Sequence, residues 1–416
     1  MNFRKLKPLW IFLLLVSACS LQPNQNLENG NPTPTPFQPQ LDAASTSPYS
    51  DAAPTPLFLP TFTALPPTPT EALVSGITIP QPLDANGEIN PLTGQPAPDP
   101  ALLNRHPIAV KIANYPRYIR PQSGLTLADH IYEYYIEGGL TRFIGVFYSN
   151  DSEWVGPVRS GRFFDENIQR MYHAYLVFKF ADPRVLGYFK TTDFADYLVT
   201  PTIGRCPPFH KMSQTRPNME DYNNEYFNTT AWAECIAKNN LDNTRPLLQA
   251  GVYSDAPPES RLLGTQIFTY YSVDSYNYWL YRPETNQYVR YQERDDTRNG
   301  KEETYDVLMD NVTATAVHAS NVVVIFAYHT FANAYDADDE VYHIDISSSG
   351  EAYVFRDGVG IIARWYRINR DQPLLLTTLS GEPIPMRPGI TFYEVIGKNS
   401  YVDQSDGEWN FHHETP

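Results

Sequence analysis

A group of polar residues between positions 129 and 162 has the residue types best suited to chemistry. Its members are Asp129, Glu133, Glu137, Arg142, Arg159, Ser160 and Arg162. The acids come before a Gly-Gly pair at positions 138–139, and the arginines come after it. Glu133 and Glu137 are four residues apart, and every second side chain of a strand points to the same side of a sheet. The spacing therefore predicts two carboxylates on one face.

Three roles suit this group, and the sequence leaves all three open. Two carboxylates on one face could act as acid and base on a glycosidic bond, where their separation decides the stereochemistry. The arginines could instead form paired hydrogen bonds with a carboxylate or phosphate group of a polymer. The third role is structural, with internal ion pairs fixing the hairpin to the loop at 156–162.

Motifs of familiar enzymes are missing. Ser160 lies in the run Gly-Pro-Val-Arg-Ser-Gly at 156–161, which lacks the spacing of a Gly-x-Ser-x-Gly nucleophile elbow. The chain has no His-Glu-x-x-His, Walker A loop, Gly-x-Gly-x-x-Gly or Ser-x-x-Lys. These absences argue against familiar hydrolase and nucleotide chemistries, and they leave open whether the protein is an enzyme.

Metal and sugar sites are weaker hypotheses. Residues 336–345 offer hard oxygen ligands for Ca²⁺ but lack the Gly and the distal Glu of an EF-hand loop, so a solvated acidic turn is the alternative. Trp279 and Trp365 could stack on sugar rings or could belong to the core. His173 and His210 lack the spacing of zinc ligands. We therefore predict no metal and no cofactor.

The elements that must position these residues begin with short helices mixed with strands. Two strands, 131–136 and 140–148, flank the Gly-Gly pair and predict a hairpin. Further predicted elements are strands at 107–113 and 176–180, a helical turn at 126–130, and helices at 165–175, 183–189 and 230–239, the last with a Thr at its N-cap. The mixture predicts an α+β domain over 73–250.

The second half is predicted to be a mostly antiparallel all-β domain over 251–400. Tyr-rich and β-branched runs recur there, separated by Gly-containing turns at 8–12-residue spacing, as sandwiches and barrels require. The predicted strands are 266–272, 276–282, 287–292, 312–317, 321–328, 341–346, 352–356, 360–368, 374–378 and 390–396. The remaining residues, 401–416, are predicted to be a flexible tail.

The N-terminal sequence indicates a location outside the cytoplasm. Residues 1–18 combine a basic start, an apolar run too short to span a membrane, and small residues before Cys19. The cysteine makes this segment resemble a bacterial lipoprotein signal, in which the chain is cut before the cysteine and acyl chains hold it at a membrane. An ordinary signal peptide with an incidental cysteine is the alternative.

A Pro/Thr-rich segment follows at 19–72. Proline locks φ and removes hydrogen-bond donors, so this composition predicts a disordered, extended stalk rather than a packed core. Such a stalk could serve as a spacer across the cell-wall zone. A Pro-rich recognition ligand is the rival interpretation.

The net charge limits the classes of partner, and the cysteine content limits the possible disulfides. The formal net charge is −16 over 416 residues, and no block of Lys or Arg interrupts it. A nucleic-acid partner needs a basic surface to neutralise phosphates, so we predict none. Cys206 and Cys235 would lie where disulfides persist, and the sequence allows either a bridge between them or two buried thiols.

Several motif strings resemble the YerB-type bacterial lipoproteins, whose family carries a two-part domain of unknown function. The strings are Asn-Pro-Leu-Thr-Gly at 90–94, Arg-Pro-Gln-Ser-Gly-Leu at 120–125, Glu-Gly-Gly-Leu-Thr-Arg-Phe at 137–143, Val-Gly-Pro-Val-Arg-Ser at 155–160, Asn-Val-Val-Val at 321–324, Phe-Arg-Asp-Gly at 355–358 and Arg-Pro-Gly at 387–389. The resemblance covers about residues 88 to 397. It implies a lipid-anchored envelope protein and brings no established activity or catalytic residues.

The chain also departs from that family pattern. Where the family has a His-Ala-Gly-Gly-Ser type run, residues 176–182 read Leu-Val-Phe-Lys-Phe-Ala-Asp. A Pro-His-Asn element is reduced to Arg-Pro-Asn at 216–218, without the His. A site built from those polar groups in relatives would be altered here.

Together these observations predict a lipid-anchored extracytoplasmic protein that binds or scaffolds a cell-wall component or an envelope protein. The alternative is a wall-glycan hydrolase that uses Glu133 and Glu137. The predicted organisation is a signal peptide at 1–18, an anchored linker at 19–72, two folded parts at 73–250 and 251–400, and a tail at 401–416.

Overall fold

The structure, a computed structural model, describes residues 88–203, 208–212, 219–248, 251–332 and 339–416. These residues belong to one unit of the chain, at 67–416. The predicted signal peptide, Cys19 and the Pro/Thr-rich linker lie outside the described residues. No helix in the described ranges is long and apolar enough to cross a membrane.

Helices are few and short. The α-helices are α1 (Asp165–Tyr172), α2 (Pro183–Phe189) and α3 (Thr229–Asn239), and 3₁₀ turns lie at Pro100–Asn104, Arg117–Ile119, Leu125–Leu127, Ala195–Tyr197, Asp221–Asn223 and Arg298–Gly300. The α2 helix begins as predicted, because the Asp182 side chain accepts a hydrogen bond from the backbone N–H of Arg184 and Pro183 occupies the first turn. The predicted Thr cap of α3 is wrong, since Asn228 caps that helix.

Strands are far more numerous than helices in the described residues. In order they are β1 (Ile108–Ala113), β2 (His130–Tyr135), β3 (Thr141–Phe147), β4 (Tyr175–Val177), β5 (Leu198–Val199), β6 (Phe209–His210), β7 (Tyr226–Phe227), β8 (Leu262–Leu263), β9 (Gln266–Ser272), β10 (Ser275–Arg282), β11 (Gln287–Glu293), β12 (Tyr305–Val307), β13 (His318–Ala319), β14 (Asn321–Phe331), β15 (Tyr342–Asp345), β16 (Ser349–Arg356), β17 (Val359–Tyr366), β18 (Leu375–Thr378), β19 (Thr391–Gly397), β20 (Tyr401–Ser405) and β21 (Glu408–His412). The predicted α+β class with a strand-rich second half is confirmed.

The larger sheet joins strands from both predicted parts. Its order is β18-β17-β16-β14-β19-β2-β3-β1-β4-β5, with β15 beside β14 and β8 beside β17. The predicted hairpin is confirmed as the antiparallel pair β2–β3, with Gly138 and Gly139 at positive φ in its turn. Strand β19 lies parallel to both β14 and β2. Strands on both sides of residue 250 therefore share one sheet, and the division into two domains at that point stays a prediction.

A seven-stranded sheet, in the order β12-β11-β10-β9-β21-β20 with β13 beside β11, packs against the first. Its inner face contributes alternate residues, as the buried Ile267, Thr269 and Tyr271 of β9 show. The Trp279 ring lies 4.7 Å from that of Phe392 in the larger sheet, measured between centroids. A small third sheet pairs β6 with β7.

Two local predictions need correction. Residues 401–416 do not form a flexible tail, because β20 and β21 make a hairpin whose second strand pairs with β9. Trp409 and Phe411 of that hairpin are buried, and burial of their apolar surface favours docking of the hairpin. Residues 312–317 form turns instead of the predicted strand.

Candidate functional site

The β2–β3 turn and the loop at 156–162 border one cleft with a volume of about 520 Å³. Glu137, Arg142, Arg159, Ser160 and Arg162 line it, and we call it the arginine cleft. The cleft thus brings together five members of the predicted polar group. The other two members, the acids at 129 and 133, lie elsewhere.

The loop that carries two of the arginines is held by the sheet. The backbone N–H of Arg159 donates to the carbonyl of Lys111 on β1, at 3.0 Å. Gly156 begins the loop at φ +151°, and a Cβ there would lie 2.8 Å from a backbone nitrogen of the same loop. Only glycine fits this approach without a shift of the backbone.

Arg142 is the most buried cation of the cleft, with 5% of its surface exposed. Its Nη1 donates to the carbonyl of Thr141 at 3.2 Å, and no carboxylate among the described residues forms an ion pair with it. Burial, and then the charges of Arg159 and Arg162, lower the pKa of Arg142 to about 9. A guanidinium in this position gains from any anion that enters.

Arg159 is half-buried and has neutral partners. Its Nη1 donates to Asn223 Oδ1 at 2.8 Å and to the carbonyl of Tyr222 at 3.3 Å. Burial is the largest cause that lowers its pKa. Ser160 beside it is buried, and its hydroxyl has no hydrogen bond to a described residue. Arg159 therefore brings a second positive charge that no described carboxylate pairs with.

Arg162 differs because it already has an anionic partner. Its Nε donates to Glu137 Oε2 at 2.8 Å, and its Nη2 donates to the other oxygen of the same carboxylate. Its Nη1 donates to the carbonyls of Ser160 and Gly161. The carboxylate of Glu137 is thereby engaged in a forked ion pair.

Acids also line the cleft, and each of them is engaged. Asp182 and Asp339 both bind the guanidinium of Arg184, at 2.9 and 2.6 Å. Glu340 accepts from the backbone N–H of Gly138 at 2.7 Å and from the hydroxyl of Tyr135 at 3.2 Å. The cleft therefore combines arginines with spare donors and acids that already have hydrogen-bond or ion-pair partners.

A buried ion pair lies below the loop. Lys111 Nζ donates to Asp165 Oδ1 at 3.0 Å, and both side chains are fully buried. The second oxygen of Asp165 accepts from the backbone N–H of Arg162 at 2.8 Å. Burial lowers the pKa of Lys111 to about 7. This pair anchors the start of α1 to β1 and supports the arginine cleft from beneath.

Asp129 belongs to the core. Its carboxylate accepts from Asn90 Nδ2 at 2.8 Å, from the backbone N–H groups of Tyr148 and Ser149, and from the Ser149 hydroxyl at 2.5 Å. Four donors satisfy this buried group, which ties the segment before β1 to the end of β3. The prediction that it shares a ligand site is wrong.

Glu133 is also in the core, between the two large sheets. It binds Arg290 of β11, and Arg290 binds Glu394 of β19 at 2.8 Å. All three side chains are fully buried. Glu133 Oε1 also accepts from Asn114 at 3.0 Å and from Thr141 at 2.6 Å. Burial is the main cause that raises the pKa of Glu133 to about 8. Glu133 and Glu137 are therefore not paired at one site, and the internal-network interpretation describes Glu133.

The predicted sugar-stacking pair is also in the core. Trp279 and Trp365 expose 0% and 2% of their surface. Trp279 Nε1 donates to Glu394 Oε1 at 2.8 Å, and Trp365 Nε1 donates to the carbonyl of Phe326 at 3.0 Å. Neither ring has a free face, so the sugar-platform hypothesis is wrong for this pair.

The metal and disulfide hypotheses fall partly on residues that are not described. Residues 336–338 of the acidic segment and Cys206 lie outside the described residues. Within the described ranges, no group of three or more His, Cys, Asp or Glu side chains is arranged to hold a metal. Cys235 is buried on α3 and is disulfide-bonded. Its pairing with Cys206 stays a prediction.

Sequence reasoning missed several residues around the cleft. Lys111 is a charged residue inside the apolar run of β1, a signal that a buried ionic partner must exist. Arg184 stands two residues after an Asp-Pro helix start, yet its second partner, Asp339, is 155 positions away. Nothing local in the sequence could have revealed that contact.

Two family descriptions match the chain in order along its length. The description "Protein of unknown function (DUF3048) N-terminal domain" matches residues 92–242, and "Protein of unknown function (DUF3048) C-terminal domain" matches residues 267–393. Together they span more than half of the chain. The cleft arginines and Glu133 fall in the first match, and Arg290 falls in the second.

Two similar proteins agree with these descriptions. "Putative lipoprotein YerB" of Bacillus subtilis (strain 168) is 25% identical over 327 residues, which are 76% of this chain and 89% of the relative. The crystal structure of the YerB protein from Bacillus subtilis has a TM-score of 0.61 at 21% identity, over 74% of this chain and 96% of that chain, and it shows a shared fold. The expected resemblance is confirmed, and the chain belongs to the YerB-like DUF3048 family.

Proposed function

We propose that this protein is a lipid-anchored envelope protein that binds an anionic group of a cell-wall component in the arginine cleft. The observation that carries the proposal is the pair Arg142 and Arg159, two cations with no carboxylate partner among the described residues. Uncompensated buried charge is costly, and an anionic ligand offsets that cost.

The anchor rests on the N-terminal sequence. A basic start, an apolar run and small residues before Cys19 form the pattern of an acylated signal. The relative from Bacillus subtilis carries the word lipoprotein in its name. Both observations favour a mature protein held at the outer face of a membrane, within reach of the wall.

The hydrolase alternative has weaker support. A glycosidase needs two carboxyl groups on either side of a scissile bond. Glu133 is fully buried against Arg290, and Glu137 is bound to Arg162. A sugar polymer cannot reach the first carboxylate without opening the core.

The test is co-sedimentation of the full-length protein with insoluble cell wall of the source bacterium, followed by chromatography of the soluble fraction. Binding is expected without release of soluble fragments, and Arg159→Ala should lower the bound fraction about tenfold, since it removes an unpaired cation. Net charge −16 disfavours non-specific attraction to acidic polymers, so specific binding should stand out.

The control is Arg364→Ala, which removes an exposed arginine of β17 that does not line the cleft. It should pellet like the wild type. Equal loss in both variants, or pelleting that ignores Arg159, would show that the arginine cleft is not the wall site. Soluble fragments that disappear in Glu133→Gln would support the hydrolase instead.

A further inference from the structure

We propose that the arginine cleft recognises a terminal phosphomonoester, a dianionic phosphate that carries a single organic substituent. The inference rests on the proposed function and specifies the chemistry of its ligand. It follows from the unpaired charges of Arg142 and Arg159, from their spare donors and from the acids that line the same cleft.

The first argument is the charge balance around Arg142. The charged groups that act on this side chain are Arg159, Arg162 and Glu137. Arg162 is paired with Glu137, and the cleft acids Asp182 and Asp339 are paired with Arg184. Arg142 and Arg159 are thus two guanidinium groups of the cleft with no carboxylate partner among the described residues. A phosphomonoester carries about −1.5 to −2 at pH 7, whereas a carboxylate or a phosphodiester carries one.

The second argument is the number of free donors. Nη2 of Arg142 and Nη2 of Arg159 donate no hydrogen bond to any described residue, and neither does the Ser160 hydroxyl. Forked guanidinium groups match the geometry of phosphate oxygens. A phosphomonoester offers three such oxygens, while a carboxylate offers two.

The third argument concerns the acids that line the same cleft. Asp182, Asp339 and Glu340 would repel the further charges of a polyanion that ran through the cleft, because like charges repel. An isolated terminal phosphate held by Arg142 and Arg159 brings no such further charges. Phe180, which is 50% exposed, also lines the cleft and offers an apolar surface to the organic substituent.

The experiment is calorimetric titration of the full-length protein with glycerol 3-phosphate, dimethyl phosphate and acetate at pH 7.5 and constant ionic strength. Glycerol 3-phosphate should bind at least about tenfold more tightly than the other two, because it alone supplies two charges. Arg159→Ala and Arg142→Lys should each weaken it about tenfold, the second by losing the fork while keeping the charge. Arg364→Ala should leave its affinity unchanged.

Each of the other outcomes overturns the dianion inference alone or the proposed function as well. If dimethyl phosphate or acetate binds as tightly as glycerol 3-phosphate and depends on Arg159, the dianion inference fails and the anion-binding function stands. The same holds if no small anion binds but wall pelleting still depends on Arg159. If neither small anions nor wall binding depends on Arg159, both proposals fail.

The source of the phosphate is decided by two further arms. Wall treated with a phosphomonoesterase should lose the protein if the ligand is a phosphate at the end of a wall polymer. Vesicles that contain phosphatidic acid, but not vesicles that contain phosphatidylglycerol, should bind a Cys19→Ala variant if the ligand is a lipid headgroup. A failure in both arms would contradict an envelope source for the phosphate.

Discussion

Arg290 lies between two buried carboxylates, those of Glu133 and Glu394. With both acids ionised, the trio would carry a net negative charge in a region without solvent. One retained proton removes that charge, which is why burial raises the pKa of Glu133 to about 8 despite the opposing effect of Arg290. The three side chains therefore connect the two large sheets while Glu133 keeps its proton.

This proton makes the stability of the protein depend on pH. In the unfolded chain Glu133 loses its proton near pH 4.5, and in the folded chain it does so near pH 8. Between these values the folded state binds more protons, so the free energy of unfolding should fall as the pH rises. The fall is on the order of a few kcal/mol. Urea unfolding at pH 5, 6, 7 and 8 measures it.

The matched variant is Glu133→Gln, which cannot titrate. Its absolute stability will shift because Asn114 and Thr141 meet a different group, so the informative quantity is the slope. The decline between pH 4.5 and 8 should be shallower in the variant than in the wild type, because Asp129 and Asp165, whose pKa values burial also raises, still contribute. Glu351→Gln on the surface should leave the decline unchanged. Parallel profiles of Glu133→Gln and wild type would contradict the proton on Glu133.

The sequence identified the right residue types but not their separate roles. Anion binding is one of the roles that the sequence leaves open for Arg142, Arg159 and Arg162, and all three line one cleft. Glu133 and Asp129 belong to the same group of polar residues in the sequence, yet they are core residues. The partner of Glu133 is 157 positions away, and long-range pairing of this kind has no local signal.

At the scale of elements, the hairpin β20–β21 is an instructive case. It pairs with β9 and inserts Trp409 and Phe411 between the sheets. Sequence reasoning treated residues 401–416 as a tail because two five-residue strands at a chain end carry little pattern. The available signal was that Trp409 and Phe411 are two residues apart, because apolar residues at every second position are typical of a half-buried strand.

Docking of this hairpin should contribute measurably to stability. Phe411→Ala is expected to lower the free energy of unfolding by about 3–5 kcal/mol, because a fully buried aromatic ring is lost from the core. Urea unfolding monitored by circular dichroism measures the change. Gln404→Ala, at an exposed position of β20, is the control and should stay within about 0.5 kcal/mol of the wild type. Equal effects of the two substitutions would show that the hairpin is not docked.

Strands with strong alternation were predicted best. The strand at 266–272 matches β9 at both ends, and helix 183–189 matches α2. The predicted strand at 312–317 was wrong because its Thr and Val residues have strand propensity while the chain there forms turns. Propensity alone could not reveal which of these runs finds a neighbouring strand.

At the scale of the whole molecule, β19 is the strand that unites the two halves. Thr391 pairs with His130 of β2 on one side and with Asn321 of β14 on the other. Two separate family matches along the chain gave no hint of a shared sheet. Sheet order is set by contacts between distant segments, so it could not be predicted from local patterns.

A shared sheet predicts that the halves depend on each other. Residues 1–250 and 251–416, expressed separately, should each lack a cooperative unfolding transition, because the separation breaks the pairing of β2 with β19 and leaves each of them with an unpaired edge. Calorimetry measures this. The control is the full chain cut after folding at a protease site inserted between residues 250 and 251, which should stay associated. Cooperative unfolding of either isolated half would contradict this dependence.

The place of β19 near the end of the chain also has a consequence for biosynthesis. Chains emerge from the ribosome N-terminus first, so β2 is made long before the strand that covers its free side. Until Thr391 and its neighbours appear, β2 presents unpaired amide and carbonyl groups, the kind of edge that recruits other chains. Newly made copies therefore pass through a long interval of vulnerability to aggregation. Holding factors that shield nascent strands would matter more for this protein than for one of the same size built from local contacts.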